Sequence, residues 1–264
     1  MIPDTNELKQ LLDFTVRVGR EAGEITHRYF KGSYIAEYKA DLSLVTVADR
    51  EAERHIREAI RRAFPDDGIL GEEEAEKLGS SSRRWIIDPV DGTFSFVHGV
   101  PLYAVLIGLE VDGESVLGVV NLPAVNELIY AARGFGCFWN GEPAHVSATP
   151  SLSDALLLST DFGTCDQHGF GQAAEALQRQ VTARRTWGDA YGHVLVATGR
   201  AEVMLDPIMN VWDCGALLPI LEEAGGTFTD WHGRRSIHSG HAISTNRILF
   251  ETVMETVKKN SILP

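Results

Sequence analysis

WIIDPVDGTFSFVHGVP, residues 85–101, joins an apolar run to two carboxylates and a glycine–threonine pair. The run at residues 85–87 predicts a buried strand, and Asp88 and Asp91 follow it closely. Two carboxylates at this spacing repel each other unless they are protonated or share a cation. Asp-Pro and Asp-Gly pairs are also typical of turns, so the motif has to be weighed with the rest of the chain.

The segments around this motif predict two helices and a mostly antiparallel sheet in the first half of the chain. Apolar residues recur at helical spacing over residues 7–29 and 48–64. Downstream, Asp-Gly at 112–113 and Asn-Gly at 140–141 predict tight turns between β-rich runs. Residues 1–145 therefore predict two helices packed on one sheet.

The second half, residues 146–264, alternates predicted strands and helices, which is typical of an α/β layer arrangement. Pro219 falls inside the helix predicted after Asp213, and it should kink that helix or move its start. No Pro/Ser-rich linker or low-complexity tract separates the halves, so we expect one fused domain over residues 1–264.

The composition is that of an ordinary globular protein, with 44% hydrophobic and 23% charged residues in 264. The 24 basic and 37 acidic residues give a net charge of −13, which disfavours nucleic acid and anionic membranes as partners. Cys137, Cys165 and Cys214 are widely spaced and form no CxxC pair, so we expect reduced thiols. The sequence has neither a secretion signal at its start nor an apolar run of about 18 residues, which predicts a soluble, cytoplasmic protein.

Five acidic residues stand at predicted element boundaries: Asp49, Glu72, Asp88, Asp91 and Asp213. Taken singly, a helix N-cap or a solvated charge run explains several of them. Hard divalent cations, however, bind through a few carboxylates together with substrate phosphate oxygens. Convergence of these acids on Mg²⁺ would relieve their repulsion and make the pocket attractive to an anionic substrate.

Gly92 and Thr93 predict a phosphate site beside these acids. If a short helix begins here, the N–H groups of both residues point outward and can bind phosphate. Cations beside a phosphate site predict phosphoryl chemistry. A haloacid-dehalogenase-type phosphatase is disfavoured, because its DxDG motif lies near the N-terminus and has its acids two apart, whereas Asp88 and Asp91 are three apart in mid-chain.

In four segments the chain resembles the inositol monophosphatase superfamily, in the same order and spacing. They are KADLSLVTVAD (39–49), LGEEE (70–74), WIIDPVDGTFSFVHGVP (85–101) and WDCGALLPILEEAGG (212–226). The resemblance covers nearly the whole chain. It implies an α+β / α/β fold, the layered α-β-α-β-α sandwich of inositol monophosphatases and fructose-1,6-bisphosphatases, and a homodimer.

The resemblance also implies a phosphomonoesterase that uses two to three Mg²⁺ ions. Glu72, Asp88 and the carbonyl of Val90 would hold one ion. Asp88, Asp91 and Asp213 would hold a second, and a weaker third ion would lie near Glu72.

The same resemblance assigns roles around the phosphate. Gly92 and Thr93 would bind it, and a metal-bound water would attack phosphorus in line. Thr93, hydrogen-bonded to Asp49, and Glu72 would orient and deprotonate that water.

The stretch RRTWGDAYGHVLVATGRAEVMLDP, residues 184–207, is more similar to the histidinol-phosphate phosphatase branch than to the inositol branch. This implies L-histidinol phosphate as the substrate. The alternatives are inositol 1-phosphate, a broad set of small phosphate esters, or a non-catalytic member that binds phosphorylated ligands. Phe94 departs from the branch, where a basic residue more often follows DGT.

Four residues of that stretch are predicted substrate contacts: Gly188, Asp189, Ala190 and Asp206. The two carboxylates can pair with the ammonium and imidazole groups of histidinol, whereas inositol offers only hydroxyls. Two simpler roles stay open: Asp189 can cap the following helix, and Asp206 can turn the chain before Pro207.

Overall fold

The structure, a computed structural model, describes residues 3–33, 35–39 and 43–260 of the chain. Part of the KADLSLVTVAD segment, residues 40–42, lies outside the described residues, as do the two ends of the predicted domain.

Strands within the described residues form one small hairpin and two large sheets. The hairpin comes first, with β1 (Glu37–Tyr38) antiparallel to β2 (Leu44–Val45). Seven strands follow in the first large sheet, ordered in space as in sequence: β3 (Gly68–Gly71), β4 (Arg83–Asp91), β5 (Ala104–Val111), β6 (Glu114–Leu122), β7 (Glu127–Ala132), β8 (Gly136–Trp139) and β9 (Glu142–Ala144). Since β3 and β4 are parallel and all other neighbours antiparallel, the predicted mostly antiparallel sheet is confirmed.

Five strands form the second large sheet, in the spatial order β11-β10-β12-β14-β13. Their bounds are β10 (Leu156–Ser159), β11 (Ala183–Arg185), β12 (Val203–Asp206), β13 (Thr227–Thr229) and β14 (Ala242–Thr245). Strand β10 is parallel to both neighbours, whereas β14 is antiparallel to both of its own.

Helices separate and cover these sheets. In the described residues they are α1 (Thr5–Tyr29), α2 (Val47–Ala63), α3 (Thr93–Val97), α4 (Phe162–Gln167), α5 (Gly171–Gln178), α6 (Asp189–Ala197), α7 (Val211–Cys214), α8 (Leu217–Glu223) and α9 (Phe250–Asn260), with a 3-10 turn at Leu152–Asp154. Helices α1 and α2 pack on the outer face of the first sheet, α6 and α8 lie between the sheets, and α5 and α9 pack outside the second. The predicted α-β-α-β-α sandwich is confirmed.

Strand β4 shows why its sequence is a continuous apolar run. Successive side chains of a strand point to opposite faces. Trp85 and Ile87 pack with α1 and α2, whereas Ile86 packs with the layer of α6 and α8. Because helices cover both faces, both sets of side chains are apolar.

The helix predicted after Asp213 is broken, as Pro219 indicated. It splits into α7 and α8, and the junction at Gly215 lies directly on the first sheet. A Cβ atom at Gly108 or Gly118 would collide with the junction backbone, so only glycine allows this approach. The Ser115 hydroxyl donates to the Gly215 carbonyl at 2.8 Å. This contact fixes α7, and with it Asp213, against the sheet.

The two predicted tight turns are also present. Asp112 and Gly113 join β5 to β6, and Asn140 and Gly141 join β8 to β9, all four with positive φ. All three cysteines are buried and unpaired, as expected. Among the described residues, no helix combines the length and the apolar character needed to span a membrane.

Candidate active site

A bulge in β4 brings Asp88 and Asp91 to the same side of the sheet. Residues three apart on a regular strand point to opposite faces. Here Asp88 pairs with Leu106 but Asp91 pairs with Ala104, so β4 has one residue more than β5 over this stretch. The strand therefore continues through both acids instead of ending before Asp88, and both carboxylates reach one cavity.

Helix α7 supplies the third carboxylate. The Asp213 Oδ2 atom accepts a hydrogen bond from the Asn210 N–H at 2.6 Å, which fixes the side chain in a capping box at the start of α7. Carboxylate oxygens of Asp88, Asp91 and Asp213 lie within 4.8 Å of one another.

Electrostatics of this cluster favour a cation. Burial, reinforced by the charge of Glu72, holds the pKa of Asp88 well above its usual range. Burial and the charge of Asp189 do the same to the pKa of Asp91, and burial raises the pKa of Asp213 to about 7. Such carboxylates hold protons unless a positive ion replaces them, and their all-oxygen donor set fits a hard divalent cation.

Glu72 lines the same cavity but stands apart from the three-carboxylate cluster. Its Oε1 atom accepts a hydrogen bond from the Lys39 ammonium at 2.8 Å, and Lys39 also donates to Glu73 at 2.6 Å. One carboxylate oxygen of Glu72 is thus already paired with an ammonium group.

A buried ion pair holds the turn that carries Glu72. The Glu53 carboxylate accepts the backbone N–H groups of Glu73 and Glu74 at 2.8 and 3.0 Å. Arg57 donates to Glu53 at 2.7 Å and to the Glu74 carbonyl at 2.8 Å. The side chains of Glu53 and Arg57 are fully buried. This role could not be predicted from the sequence, because charges four residues apart on a helix usually lie on its solvated face.

The predicted short helix begins next to the cluster. Gly92 precedes α3 in the left-handed region, at φ 77°, and Thr93 is the first helical residue. The Thr93 hydroxyl donates to the Val90 carbonyl at 2.9 Å and lies 3.4 Å from Asp49 Oδ1. Burial outweighs the hydrogen bonds from Thr46 and raises the pKa of Asp49 to about 6.

Helix α6 is attached directly to the carboxylate cluster. Its Ala190 N–H donates to Asp91 Oδ2 at 2.7 Å, so Asp91, rather than Asp189, caps the helix. Asp189 itself has φ 51°. Its carboxylate lies close to Gly92: a Cβ atom placed on Gly92 would be 3.1 Å from Asp189 Oδ2. Burial, followed by the charge of Asp206, raises the pKa of Asp189 to about 7.

Asp206 ends β12 with its carboxylate in the cavity wall. Its Oδ2 atom accepts a hydrogen bond from the Thr160 hydroxyl at 3.1 Å, and that hydroxyl in turn accepts the Asp189 N–H at 2.9 Å. Thr160 therefore links Asp189 to Asp206. The sequence signal that could have revealed it is its position at the carboxyl end of a predicted strand, where α/β layers place ligand contacts.

The inositol monophosphatase family model matches residues 7–261 of the chain. The chain belongs to the inositol monophosphatase family. A histidinol-phosphatase from Chlorobaculum parvum is 44% identical over 248 residues, covering 93% of this chain and 96% of the relative. A fructose-1,6-bisphosphatase/inositol-1-monophosphatase from Thermotoga maritima is 34% identical over 251 residues, covering 94% of this chain and 96% of the relative.

Solved structures of the family have the same architecture. The extragenic suppressor protein suhB from Bartonella henselae aligns with a TM-score of 0.88 at 30% identity, over 95% of this chain and 99% of that one. The inositol monophosphatase from Thermotoga maritima aligns with a TM-score of 0.85 at 33% identity, over 95% of this chain and 97% of that one.

In this inositol monophosphatase family member, most of the predicted site residues line one cavity. They are Glu72, Asp88, Val90, Asp91, Gly92, Thr93, Asp189, Asp206 and Asp213. Asp49 lies behind Thr93, while Gly188 and Ala190 stand outside the lining. Residues that were not among the predicted site residues complete the lining: Thr160, Thr164, Pro207, Ile208, Met209, Asn210 and Trp212. Phe94 is largely exposed, and its ring contacts that of His98 at a tilt of 32°, with ring centroids 4.3 Å apart.

Proposed function

We propose that the protein is a magnesium-dependent phosphomonoesterase that hydrolyses L-histidinol phosphate. The observation that carries this proposal is the division of one cavity into two acidic parts. The cluster of Asp88, Asp91 and Asp213 lies beside the start of α3, and Asp189 and Asp206 form a second acidic pair. The 44% identical relative that is named a histidinol-phosphatase supports the assignment.

The first acidic part would hold the ions. Asp88, Asp91 and Asp213 would bind Mg²⁺, and Glu72 and the Val90 carbonyl would complete the ligands for two to three ions in all. When bound, Mg²⁺ stabilises negative charge on the phosphoryl oxygens and lowers the pKa of water.

Residues of the chain would bind the phosphate and move the proton. The N–H groups of Gly92 and Thr93, at the start of α3, would donate to the phosphate oxygens. The Thr93 hydroxyl, next to Asp49 Oδ1, can give up its proton as it accepts one from water. With a pKa of about 6, Asp49 is deprotonated at neutral pH and close enough in acidity to accept that proton. Glu72 offers a second acceptor at the cavity wall.

The second acidic part selects the alcohol. Half-buried Asp189 and buried Asp206 both line the cavity, and a neutral polyol would leave their negative charge uncompensated. Histidinol carries an ammonium and an imidazole, which can form charge-assisted hydrogen bonds with both.

A second candidate is a phosphatase of inositol 1-phosphate or of a broad set of small phosphate esters, acting through the same site. The Thermotoga maritima relative, named for two different phosphate esters, favours it.

Steady-state kinetics on a substrate panel test the choice between these candidates. The panel contains L-histidinol phosphate, inositol 1-phosphate and β-glycerophosphate, each with Mg²⁺ and with EDTA. We expect kcat/KM to be highest for L-histidinol phosphate by at least about tenfold, since paired charges contribute on the order of 1.4 kcal/mol or more. EDTA should abolish turnover of every ester. A higher kcat/KM for inositol 1-phosphate would reject the histidinol assignment and leave the phosphatase assignment standing.

Assembly and location are proposals that rest on family membership. We propose a homodimer in the cytoplasm. Light scattering on the purified protein should give twice the mass of one chain.

A further inference from the structure

His193 lies directly behind Asp206, outside the cavity lining. It is on α6, fully buried between the two large sheets. Its Nδ1 atom is 2.7 Å from the Ser244 hydroxyl, and its Nε2 atom is 3.8 Å from Asp206 Oδ2. This Nε2 atom is buried and has no hydrogen-bond partner within the described residues. Buried nitrogen atoms rarely lack a partner, so the arrangement calls for an explanation.

Charge decides which nitrogen of His193 carries the proton. A lone pair on Nε2 facing the Asp206 carboxylate would be repelled by it, whereas an N–H group would be attracted. The proton therefore belongs on Nε2, and the Ser244 hydroxyl donates to Nδ1. The separation of 3.8 Å is longer than a hydrogen bond, so a small rotation of the Asp206 carboxylate would complete the contact.

The surroundings of His193 hold its ring in place. Ser244 belongs to β14 and faces Met204 of the neighbouring strand β12, two residues before Asp206. The Phe228 ring on β13 lies 5.6 Å from the imidazole, between centroids. Three neighbouring strands of one sheet thus fix the ring relative to Asp206.

Two contacts of the Asp206 carboxylate fall on the same oxygen. Both the Thr160 hydroxyl and the His193 Nε2 atom approach Oδ2. Because both groups approach Oδ2, neither engages Oδ1 of this cavity-lining residue. That oxygen is then available to a donor on a bound ligand.

We propose that His193 is a positioning residue that, through Asp206, determines selectivity for phosphate esters whose alcohol carries a cationic group. The inference rests on the proposed function, because it concerns the alcohol-binding part of the same site. His193 touches neither the phosphate nor the predicted metal ligands, so it acts on the binding of the alcohol and not on the phosphoryl step.

Two substitutions of His193 separate its two nitrogens. In His193→Asn the amide replaces Nδ1, which retains an acceptor for Ser244 and removes the donor to Asp206. In His193→Gln the amide reaches the position of Nε2 and retains that donor. We expect His193→Asn to raise KM for L-histidinol phosphate about tenfold, as loss of a group that orients a ligand-binding residue typically does, with kcat changed less than about twofold. His193→Gln should restore most of the lost selectivity, and KM for β-glycerophosphate should stay within about twofold in both variants.

A double-substitution cycle tests the dependence on Asp206. In an Asp206→Asn background, His193→Asn should cause no further loss of selectivity, because the carboxylate it orients is gone. An equal rise in KM for both esters, or an effect that persists without Asp206, would show that His193 only fills space and would overturn the inference.

A spectroscopic readout keeps the test independent of how well the variants fold. In protein labelled with ¹⁵N-histidine, L-histidinol should shift the His193 Nε2 resonance, and inorganic phosphate should not; an unmoved resonance under saturating L-histidinol contradicts the inference. The outcomes for the two proposals are distinct. Preference of the unmodified protein for inositol 1-phosphate rejects the proposed substrate, whereas preference for L-histidinol phosphate that survives His193→Asn rejects only the role of His193.

Discussion

The Asp49 carboxylate connects the start of α2 to the hydroxyl of Thr93. Its Oδ2 atom accepts hydrogen bonds from the Thr46 N–H at 2.8 Å and the Thr46 hydroxyl at 2.6 Å, while its Oδ1 atom lies 3.4 Å from Thr93 Oγ1. Because the helix cap fixes one oxygen, the other is held toward Thr93 before any ligand arrives. The proposed proton acceptor is thus positioned by the fold itself.

Thr93→Ala tests this arrangement. Removal of the hydroxyl should lower kcat about 10²–10³-fold, the usual contribution of a positioned proton-transfer group, with a much smaller change in the Mg²⁺ concentration required. Thr93→Ser keeps the hydroxyl and should recover most of the rate. Steady-state kinetics of both variants measure the difference. A Thr93→Ala enzyme with the rate of the unmodified protein would exclude the hydroxyl from the reaction.

Asp91→Asn should separate the metal role of Asp91 from its structural role. The asparagine carbonyl can still accept the Ala190 N–H that starts α6, but one charge of the cluster is lost. We expect kcat to fall by about three orders of magnitude and Mg²⁺ to bind at least about tenfold more weakly. Without metal, the variant should melt at a higher temperature than the unmodified protein, because asparagine is buried without the free energy that burial of Asp91 spends on holding a proton at neutral pH.

The control for this experiment is Asp13→Asn on the exposed face of α1, which makes the same chemical change away from the cavity. Calorimetric Mg²⁺ titration and melting in EDTA provide the measurements. Equal Mg²⁺ affinity in the two variants would contradict a metal role for Asp91.

Stability of the metal-free protein should fall as the pH rises from about 4 to about 7. Burial raises the pKa of Asp49 to about 6 and those of Asp189 and Asp213 to about 7. A carboxyl with a raised pKa binds its proton more tightly in the folded than in the unfolded chain. Each group therefore lowers the stability progressively between its ordinary pKa of 3.8 and its folded pKa, and the loss is complete above the folded pKa. Mg²⁺ binds the deprotonated cluster, so the rise in Tm that it causes should grow over the same range.

Differential scanning calorimetry at several pH values, with EDTA and with Mg²⁺, measures both trends. A Tm in EDTA that increases over this range would be inconsistent with protonated buried carboxylates.

Elements encoded by local pattern could be predicted from the sequence. The apolar run of β4, the Asn140-Gly141 turn and the helix break before Pro219 depend on residues that are neighbours in the chain. The acids at 88 and 91 could be named for the same reason, since they follow an apolar run within one short motif.

Features that depend on distant segments could not be predicted. The bulge that brings Asp88 and Asp91 to one side follows from the register between β4 and β5. The roles of Thr160 and His193 arise only when β10 and α6 pack around β12. No period of two or 3.6 residues encodes such contacts. Glu53 shows the same limit, because an i,i+4 pair has the same sequence pattern whether it is solvated or buried.

The buried pair of Glu53 and Arg57 should couple the stability of the fold to metal binding. Glu53→Gln removes the buried partner of Arg57 and leaves its charge only the half-exposed Glu74 carboxylate, 3.6 Å away, which should lower the free energy of unfolding by about 3 kcal/mol. The turn that carries Glu72 also loses the anionic acceptor of two backbone N–H groups, so Mg²⁺ should bind several-fold more weakly. Glu58→Gln, on the exposed face of the same helix, is the control and should change the free energy of unfolding by less than about 0.5 kcal/mol.

The double variant Glu53→Gln/Arg57→Met distinguishes the two effects of losing Glu53. It removes the Arg57 charge that has lost its buried partner, so part of the stability measured by urea unfolding should return. Mg²⁺ affinity measured by calorimetry should stay low, because the methionine side chain has no donor for the turn and the glutamine amide offers only one uncharged acceptor for two N–H groups. Full recovery of Mg²⁺ affinity together with stability would mean that the pair acts on folding alone and that Glu72 is positioned by other contacts.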